Sequence, residues 1–405
     1  MNPHLSASDI PRGFSFAAAQ CGLKRSRLDL GILISETPAA AAAVFTTNRV
    51  VAAPVLASRA HLKKSRGRMR GIIVNSGNAN CCTRADGLPA SIATTRKLAQ
   101  ELGGFDASQI LVCSTGVIGA PLRVEKILHA VPQLVRTRSA EAGAFEEFAR
   151  AIMTTDTRPK WAEAKCRIGG RDARILGCAK GAGMIHPRMA TMLAFLVTDA
   201  TLSPALAARA LKSAAGPTFN SITIDGDTST NDTVALLANG ESGARAITSA
   251  GSADYEDFCT ALERVCRSLA IAIVEDGEGA QRVIEIEVRG ASSDRSADQI
   301  ARTVANSPLV KTAFAGADPN WGRILAAAGR SGVAFDPRHT NIWIGGVAVC
   351  RGGRERPFDE AAAHAKMLEK YVPLRVDLGS GRGAARIWTC DFTQEYVHIN
   401  ASYRT

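Results

Sequence analysis

A layered α/β fold is what this sequence predicts, and three observations predict it. Short apolar runs, each about the length of a strand, alternate along the chain with stretches of helical periodicity. The 405 residues are 46% hydrophobic and 21% charged, an ordinary balance for a globular protein with a large core. Aromatics make up only 5%, so that core is mostly Ala, Val, Leu and Ile. Many short strands with helices outside them give α/β or α+β layers.

The elements follow in chain order. Gly71–Val74 is a short apolar strand, Pro89–Leu102 a helix and Ile110–Ser114 a second strand. Arg174–Cys178 and Met192–Val197 are strands; the second is apolar throughout and reads as buried. Pro204–Ala214 is a helix with Ser203 as N-cap, Pro204 as its first residue and Gly216 just past its end. Ser221–Ile224 reads as a strand, and Tyr255–Val274 as a helix with Gly277 at its C-terminal cap. Val283–Val288, Ile342–Gly346 and Arg386–Thr389 are strands, and Ser296–Val304 is a helix. There is no repeat, low-complexity segment or obvious linker.

Composition excludes several classes. No apolar run approaches the ~18–20 residues of a membrane helix. The opening Met1-Asn-Pro-His-Leu-Ser-Ala-Ser-Asp9 lacks the basic start and apolar run of a secretory signal, so a cytoplasmic protein is expected. Ten cysteines without a Cys-x-x-Cys pair are expected to be reduced and mostly buried. Seven scattered histidines leave no metal site to expect. The formal charge is +11. Its densest stretch, Lys63-Lys-Ser-Arg-Gly-Arg-Met-Arg70, holds no aromatic to stack on a base. It reads as a solvated loop before a strand; steering of an anionic cosubstrate also fits, and no nucleic-acid partner is expected.

The segment Lys180-Gly-Ala-Gly-Met-Ile-His-Pro-Arg-Met-Ala190-Thr191 carries the most chemistry. Glycines permit strained backbone, Ala190 leaves room around its carbonyl, and Thr191 opens a rigid strand. That suits a chain that cuts itself at Ala190–Thr191. The freed α-amine would titrate near ~7.7–8.0. It could then take the proton of its own Oγ, with no histidine. The plain alternative is an ordinary strand threonine.

Other segments have the same polar, glycine-rich character. Cys113-Ser-Thr-Gly-Val-Ile-Gly119 follows a strand, where Thr115 and Gly116 could form an oxyanion hole or a common turn. Asn75-Ser-Gly-Asn-Ala-Asn80 is a plain loop or a binding loop for a polar ligand. Ile222-Thr-Ile-Asp-Gly-Asp-Thr-Ser-Thr-Asn-Asp232 is similar, and lacks the glutamate of an EF-hand ladder. Glu278, in Glu275-Asp-Gly-Glu-Gly279, could bind a substrate amine. Gly379-Ser-Gly-Arg-Gly383 leads into a strand, so it has no helix dipole for a phosphate.

Together these segments, with Asp318-Pro-Asn-Trp-Gly-Arg323 and Ile399-Asn-Ala-Ser-Tyr-Arg-Thr405, resemble the ornithine acetyltransferase family, also called glutamate N-acetyltransferase, of arginine biosynthesis. The resemblance runs nearly end to end. It implies a layered α-β-β-α sandwich, and cleavage into an α chain (1–190) and a β chain (191–405), usually two of each. It implies that Thr191 accepts an acetyl group from N-acetylornithine and passes it to glutamate, with Thr115 and Gly116 as oxyanion hole. It implies substrate binding by Thr154, Lys180, Thr191, Glu278, Asn400 and Thr405. Lys180 suits a carboxylate, Glu278 an ammonium, and Asn400 either donor or acceptor. No cofactor is implied; whether acetyl-coenzyme A is a second donor stays open. Arg188, Gln281-Arg282 and Cys82 depart from the usual Asn, Thr-Lys and Ala. A self-processing aminopeptidase of the same architecture is the competing reading. The conjunction of Lys180-Gly-Ala-Gly183, Asp276-Gly-Glu-Gly279 and the terminal motif argues against it.

Overall fold

Alternate residues of a strand point to opposite faces, and here that alternation sorts the apolar side chains into layers. In the computed structural model, which describes residues 5–186 and 192–402, eight strands share one sheet. They are β1 (Phe14–Ala19), β2 (Leu30–Phe45), β3 (Arg68–Asn78), β4 (Ile110–Val117), β5 (Lys160–Ile168), β6 (Arg171–Lys180), β7 (Leu193–Thr198) and β8 (Thr233–Ala238). The order across the sheet is β4-β3-β2-β8-β7-β6-β5, with β1 also paired to β2. The accompanying helices are α1 (Ala53–Lys64), α2 (Gly87–Glu101), α3 (Val124–Thr137), α4 (Ala142–Ala151), α5 (Pro204–Ala215) and α6 (Ala253–Glu275).

On β3, Ile72 and Val74 join a core with Leu33, Leu111, Phe195, Val197 and the α4 rings Phe145 and Phe148. Ile73 between them joins the opposite cluster, with Leu98 of α2 and Ile127 and Val131 of α3. On β7, Ala194 and Leu196 meet Leu211 of α5 and Phe258, Leu262 and Val265 of α6. Two halves of one sheet therefore fold over a shared core, with helices on each outer side. That is the expected α-β-β-α sandwich.

A second sheet follows: β9 (Val283–Ala291), β10 (Asn341–Ile344), β11 (Val347–Arg351), β12 (Arg354–Glu355), β13 (Tyr371–Asp377) and β14 (Gly383–Cys390). Its order is β12-β11-β10-β13-β9-β14. Helices α7 (Asp294–Ala305), α8 (Pro308–Ala315), α9 (Trp321–Gly329) and α10 (Glu360–Met367) accompany it. Ile286, Val288, Ile300, Phe314 and Val376 centre its own core. The described chain closes with α11 (Gln394–Ser402). No described helix is long and apolar enough to cross a membrane.

Most expected elements lie within one to three residues of the observed ones, and the cap at Ser203 is made: its Oγ accepts from Leu206 N at 3.2 Å. Five readings need correction. Ser221–Ile224 is not a strand. A 3-10 turn (Phe219–Ser221) leads into a single bridge between Ile222 and Trp388, because Thr223 N and Ile224 N donate to different segments, Trp388 and Ile185. β4 continues past Ser114 to Val117, so Thr115 and Gly116 are strand and not the turn after it. Gly345 and Gly346, both at positive φ, turn the chain after β10, so that strand ends at Ile344. Asp276 caps α6, and the left-handed glycine is Gly279. The basic stretch 63–70 is the end of α1, a tight turn and the start of β3.

The expected division at residue 190 falls between two neighbouring strands. β6 and β7 pair antiparallel from Ile175↔Thr198 to Lys180↔Leu193.

Candidate active site

β3 and β4 run parallel and stay paired from Gly71↔Ile110 to Gly77↔Gly116. There the register shifts, and Asn78 pairs with both Thr115 and Val117. A bulge of this kind bends a strand end and re-aims its side chains. Position 116 admits only glycine. Its φ is +129°, and a Cβ on it would lie 2.4 Å from the Gly77 carbonyl carbon. The neighbouring asparagines do not form a ligand loop of free amides. Asn75 Oδ1 accepts from Ser114 Oγ at 2.6 Å, and Asn78 Nδ2 donates to Ala120 O at 3.1 Å. Their amides buttress the strand ends instead.

A cavity of about 1450 Å³ opens at these ends. Thr115, Gly116, Thr154, Lys180, Glu278 and Asn400 all line it. Lys180, the last residue of β6, is 5% exposed, and its Nζ donates to Thr115 Oγ1 at 3.1 Å. Burial holds its pKa below the ordinary lysine value, against the pull of Asp156.

The wall beside Lys180 is a buried ionic cluster. Lys160, the first residue of β5, donates to Asp156 Oδ1 at 2.5 Å and to Asp276 Oδ2 at 2.6 Å. Asp156 also accepts the backbone N–H groups of Gly181 (2.7 Å) and Thr154 (2.9 Å). Asp276 accepts from Thr157 N at 3.1 Å and from the Thr157 hydroxyl. One cluster therefore holds the Thr154 loop, the exit from β6 and the end of α6. Burial opposes ionisation of Asp156, but the ammonium groups of Lys160 and Lys180 keep it below the usual carboxylate range.

α11 closes the other side. Asn400 Nδ2 donates to Glu278 Oε2 at 2.8 Å. Gly183 passes so close that a Cβ there would sit 2.5 Å from Glu278 Oε2. The helix is seated by Thr393 Oγ1, which donates to Gly279 O at 2.7 Å. Phe392 stacks on Tyr396 at 4.6 Å, with the Lys311 ammonium 4.4 Å from the Phe392 ring.

Ala190, Thr191, Arg188 and Thr405 lie outside the described residues. The residues flanking 187–191 are held on both sides by the run 225–232. Asp225 accepts Met184 N at 2.5 Å and Ile185 N at 3.0 Å; Asp232 Oδ1 accepts Met192 N at 2.8 Å. Asn231 Nδ2 ties the same run to Ala79 O (2.7 Å) and Ser114 O (2.9 Å). Burial raises the Asp225 pKa to about 6, and pushes that of Asp232 well up. Sequence reasoning noticed this run for its possible cation affinity and missed its work as a clamp. It also missed Asp156 and Lys160, and it named Asp276 only as part of a motif, without its place in the ionic cluster. The one local signal was a lysine on the inward face of β5, whose burial alternates from Lys160 onward. Among the described residues, no group of three His, Cys, Asp or Glu is placed to hold a metal ion.

Known proteins are similar to this sequence over nearly its whole length. The profile of the ArgJ family matches residues 15–405. The arginine biosynthesis bifunctional protein ArgJ of Thermosynechococcus vestitus is 47% identical over 412 residues, with 97% of each chain covered. That of Chlorobaculum tepidum is 46% identical over 404 residues, covering 100% of this chain and 98% of its own. The crystal structure of the same-named protein from Bacillus halodurans is 42% identical, with a TM-score of 0.51. The match covers 53% of this chain and 100% of that one.

Proposed function

We propose, from the premise that this chain belongs to the ArgJ family, that it moves the acetyl group of N2-acetyl-L-ornithine to L-glutamate through an acetyl-threonine at Thr191. It is an acyltransferase of arginine biosynthesis, working in the cytoplasm without a cofactor. The reading includes acetyl-coenzyme A as a second donor, since its relatives are named bifunctional. The observation that carries the proposal is the convergence of Thr115, Gly116, Thr154, Lys180, Glu278 and Asn400 on one cavity.

The chain first becomes active by cutting itself. Thr191 Oγ attacks the Ala190 carbonyl, the peptide C–N bond gives way to an ester, and water releases it. The products are 1–190 and 191–405, the second with a free α-amine on Thr191. The Bacillus halodurans chain supports this. It is matched in full by 53% of the present chain, and residues 191–405 are 215 of 405, the same fraction.

In the first half-reaction Thr191 Oγ attacks the acetyl carbonyl and its proton passes to the Thr191 amine. The developing oxyanion meets the Thr115 hydroxyl and the Gly116 N–H. Thr115 accepts from Lys180, which leaves its own proton free to donate. The C–N bond breaks, the amine returns the proton to the ornithine nitrogen, and ornithine leaves. In the second half-reaction the glutamate amine attacks the ester, and its proton travels by the same amine to Oγ as the C–O bond breaks. Lys180 and Glu278 sit on one cavity with opposite charge, as a zwitterionic amino acid requires.

The test is intact mass under denaturing conditions, with Thr191→Ala alongside, followed by transfer assays. Two fragments of 190 and 215 residues, absent in the variant, and acetylglutamate formed only by the cut enzyme are expected. A stable uncut chain, or transfer that survives in Thr191→Ala, would refute the mechanism. Peptide hydrolysis without transfer would favour the aminopeptidase.

A further inference from the structure

We infer that Arg25 and Arg27, on the exposed edge of the cavity, form a subsite for the phosphate groups of the acetyl-coenzyme A donor. This rests on the proposed use of that donor. Size is the first reason. Pockets of roughly 300–1,000 Å³ already enclose drug-sized ligands, and this one measures about 1450 Å³. An acetylated amino acid leaves most of it unfilled.

The second reason is how the loop is built. Asp29, fully buried, accepts the backbone N–H groups of Cys21 (2.6 Å), Gly22 (3.0 Å) and Lys24 (2.8 Å). Lys24 Nζ donates inward to Leu28 O (3.2 Å) and Met153 O (2.6 Å), and Lys126 Nζ to Gly22 O (2.6 Å). Gln20 Nε2 holds Arg25 O at 3.0 Å. The loop's backbone is thus fixed while two arginines are displayed on it. The Met153 bond joins it to Thr154 at the substrate end. Gly77 packs between Leu23 and Gly116, so the loop stands directly behind the strand ends.

The third reason is charge. Lys180 and the acids Asp156 and Glu278 of the cavity lining are buried and engaged. The Arg25 and Arg27 guanidinium groups are exposed and have no carboxylate or carbonyl partner among the described residues. Among the described residues, Glu395 is the one exposed acid on the lining. A guanidinium fork matches a phosphate with two parallel bonds and keeps its charge at any working pH.

The test is calorimetric titration of the processed enzyme with coenzyme A, at low and high salt. Wild type is compared with Arg25→Ala/Arg27→Ala and Arg25→Lys/Arg27→Lys. The alanine pair should weaken binding about ten-fold or more, and the lysine pair much less. Affinity should fall with salt in wild type and less in the alanine pair. In steady state, KM for acetyl-coenzyme A should rise in the alanine pair relative to KM for N-acetylornithine. Equal affinity in wild type and the alanine pair overturns the subsite. So does a wild type that transfers from N-acetylornithine but binds no coenzyme A, which leaves the acetylornithine reaction standing. Coenzyme A binding that needs these arginines, without any transfer from N-acetylornithine, supports the subsite and sinks the acetylornithine reaction.

Discussion

Lys160→Met should cost about 4 kcal/mol of stability at neutral pH. The substitution keeps the stem and removes a charge that is fully buried. Its two carboxylate partners, Asp156 and Asp276, are 0% and 4% exposed in their side chains. Removing one partner of a buried pair costs about 3–5 kcal/mol, because the other charge stays behind. Lys160 serves two carboxylates, which raises the cost. Lys180 still faces Asp156, which lowers it. Unfolding entropy is about 2.1 cal/mol/K per residue, or about 0.85 kcal/mol/K for this length, so Tm should fall by about 5 °C. The pH dependence has a definite sign. In wild type the Asp156 pKa is depressed, so its contribution is present above the unfolded value of ~3.9 and lost as pH falls through the folded one. In the variant burial is less opposed and that pKa rises. The Tm gap should therefore narrow as pH falls from about 7.5 toward about 5. Thermal melts across that range are the assay. A gap below about 1 °C at neutral pH, or one that ignores pH, would refute the reasoning. Adding Asp156→Asn and Asp276→Asn to the variant should return most of the loss, since neither buried carboxylate is then left without the Lys160 ammonium.

Thr115→Ala should lower kcat roughly 10²–10³-fold with KM little changed; a loss carried by KM instead would remove Thr115 from the transition state. Lys311→Met should loosen α11, which carries Asn400. KM should rise about five-fold, the worth of one hydrogen bond of about 1 kcal/mol, and limited proteolysis should cut first between residues 392 and 402. Unchanged proteolysis would mean that the Lys311–Phe392 contact does not seat the helix. Asp225 titrates near 6 because of its burial, above its unfolded value of ~3.9. Its stabilising contribution is greatest when protonated and is lost as pH rises through about 6. Wild type should thus lose Tm relative to Asp225→Asn between about pH 4.5 and 7.5, and a flat difference would contradict the buried, raised carboxyl.

The fold was legible where local pattern and burial agree. β7 is apolar from Leu193 to Val197, ends in Thr198 and is buried on both faces, so its run of residues predicts it. The helix at Pro204 carries its own start signal in Ser203 and its proline. β2 was not legible, although it has 16 residues. Its stretch Pro38–Ala43 has low strand propensity, and pairing with β3 and β8 from distant parts of the chain overrides that. The site divides in the same way. Thr115, Lys180 and Glu278 stand in short motifs and can be picked out singly. Asp156 and Asp276 are 120 residues apart; Asp276 opens the motif Asp276-Gly-Glu-Gly279, but nothing local links it to Asp156, and only the folded chain closes both on Lys160. The loop 21–28 has no sequence signal of its own; what fixes it is Asp29, buried behind it and accepting three of its N–H groups.

The strand order β2-β8-β7-β6 bears on how such a protein can be made at all. If the chain is divided after residue 190, the later piece owns the two strands that fill the middle of a sheet belonging mostly to the earlier piece. Made alone, 1–190 would leave β2 and β6 facing each other across a slot about 14 Å wide, three strand spacings. Made alone, 191–405 would offer β7 and β8 as a ribbon bare along both edges, an invitation to aggregate. Folding must therefore come before division. Translation as a single polypeptide guarantees one of each piece, already threaded through the other, before the peptide bond that joined them becomes dispensable.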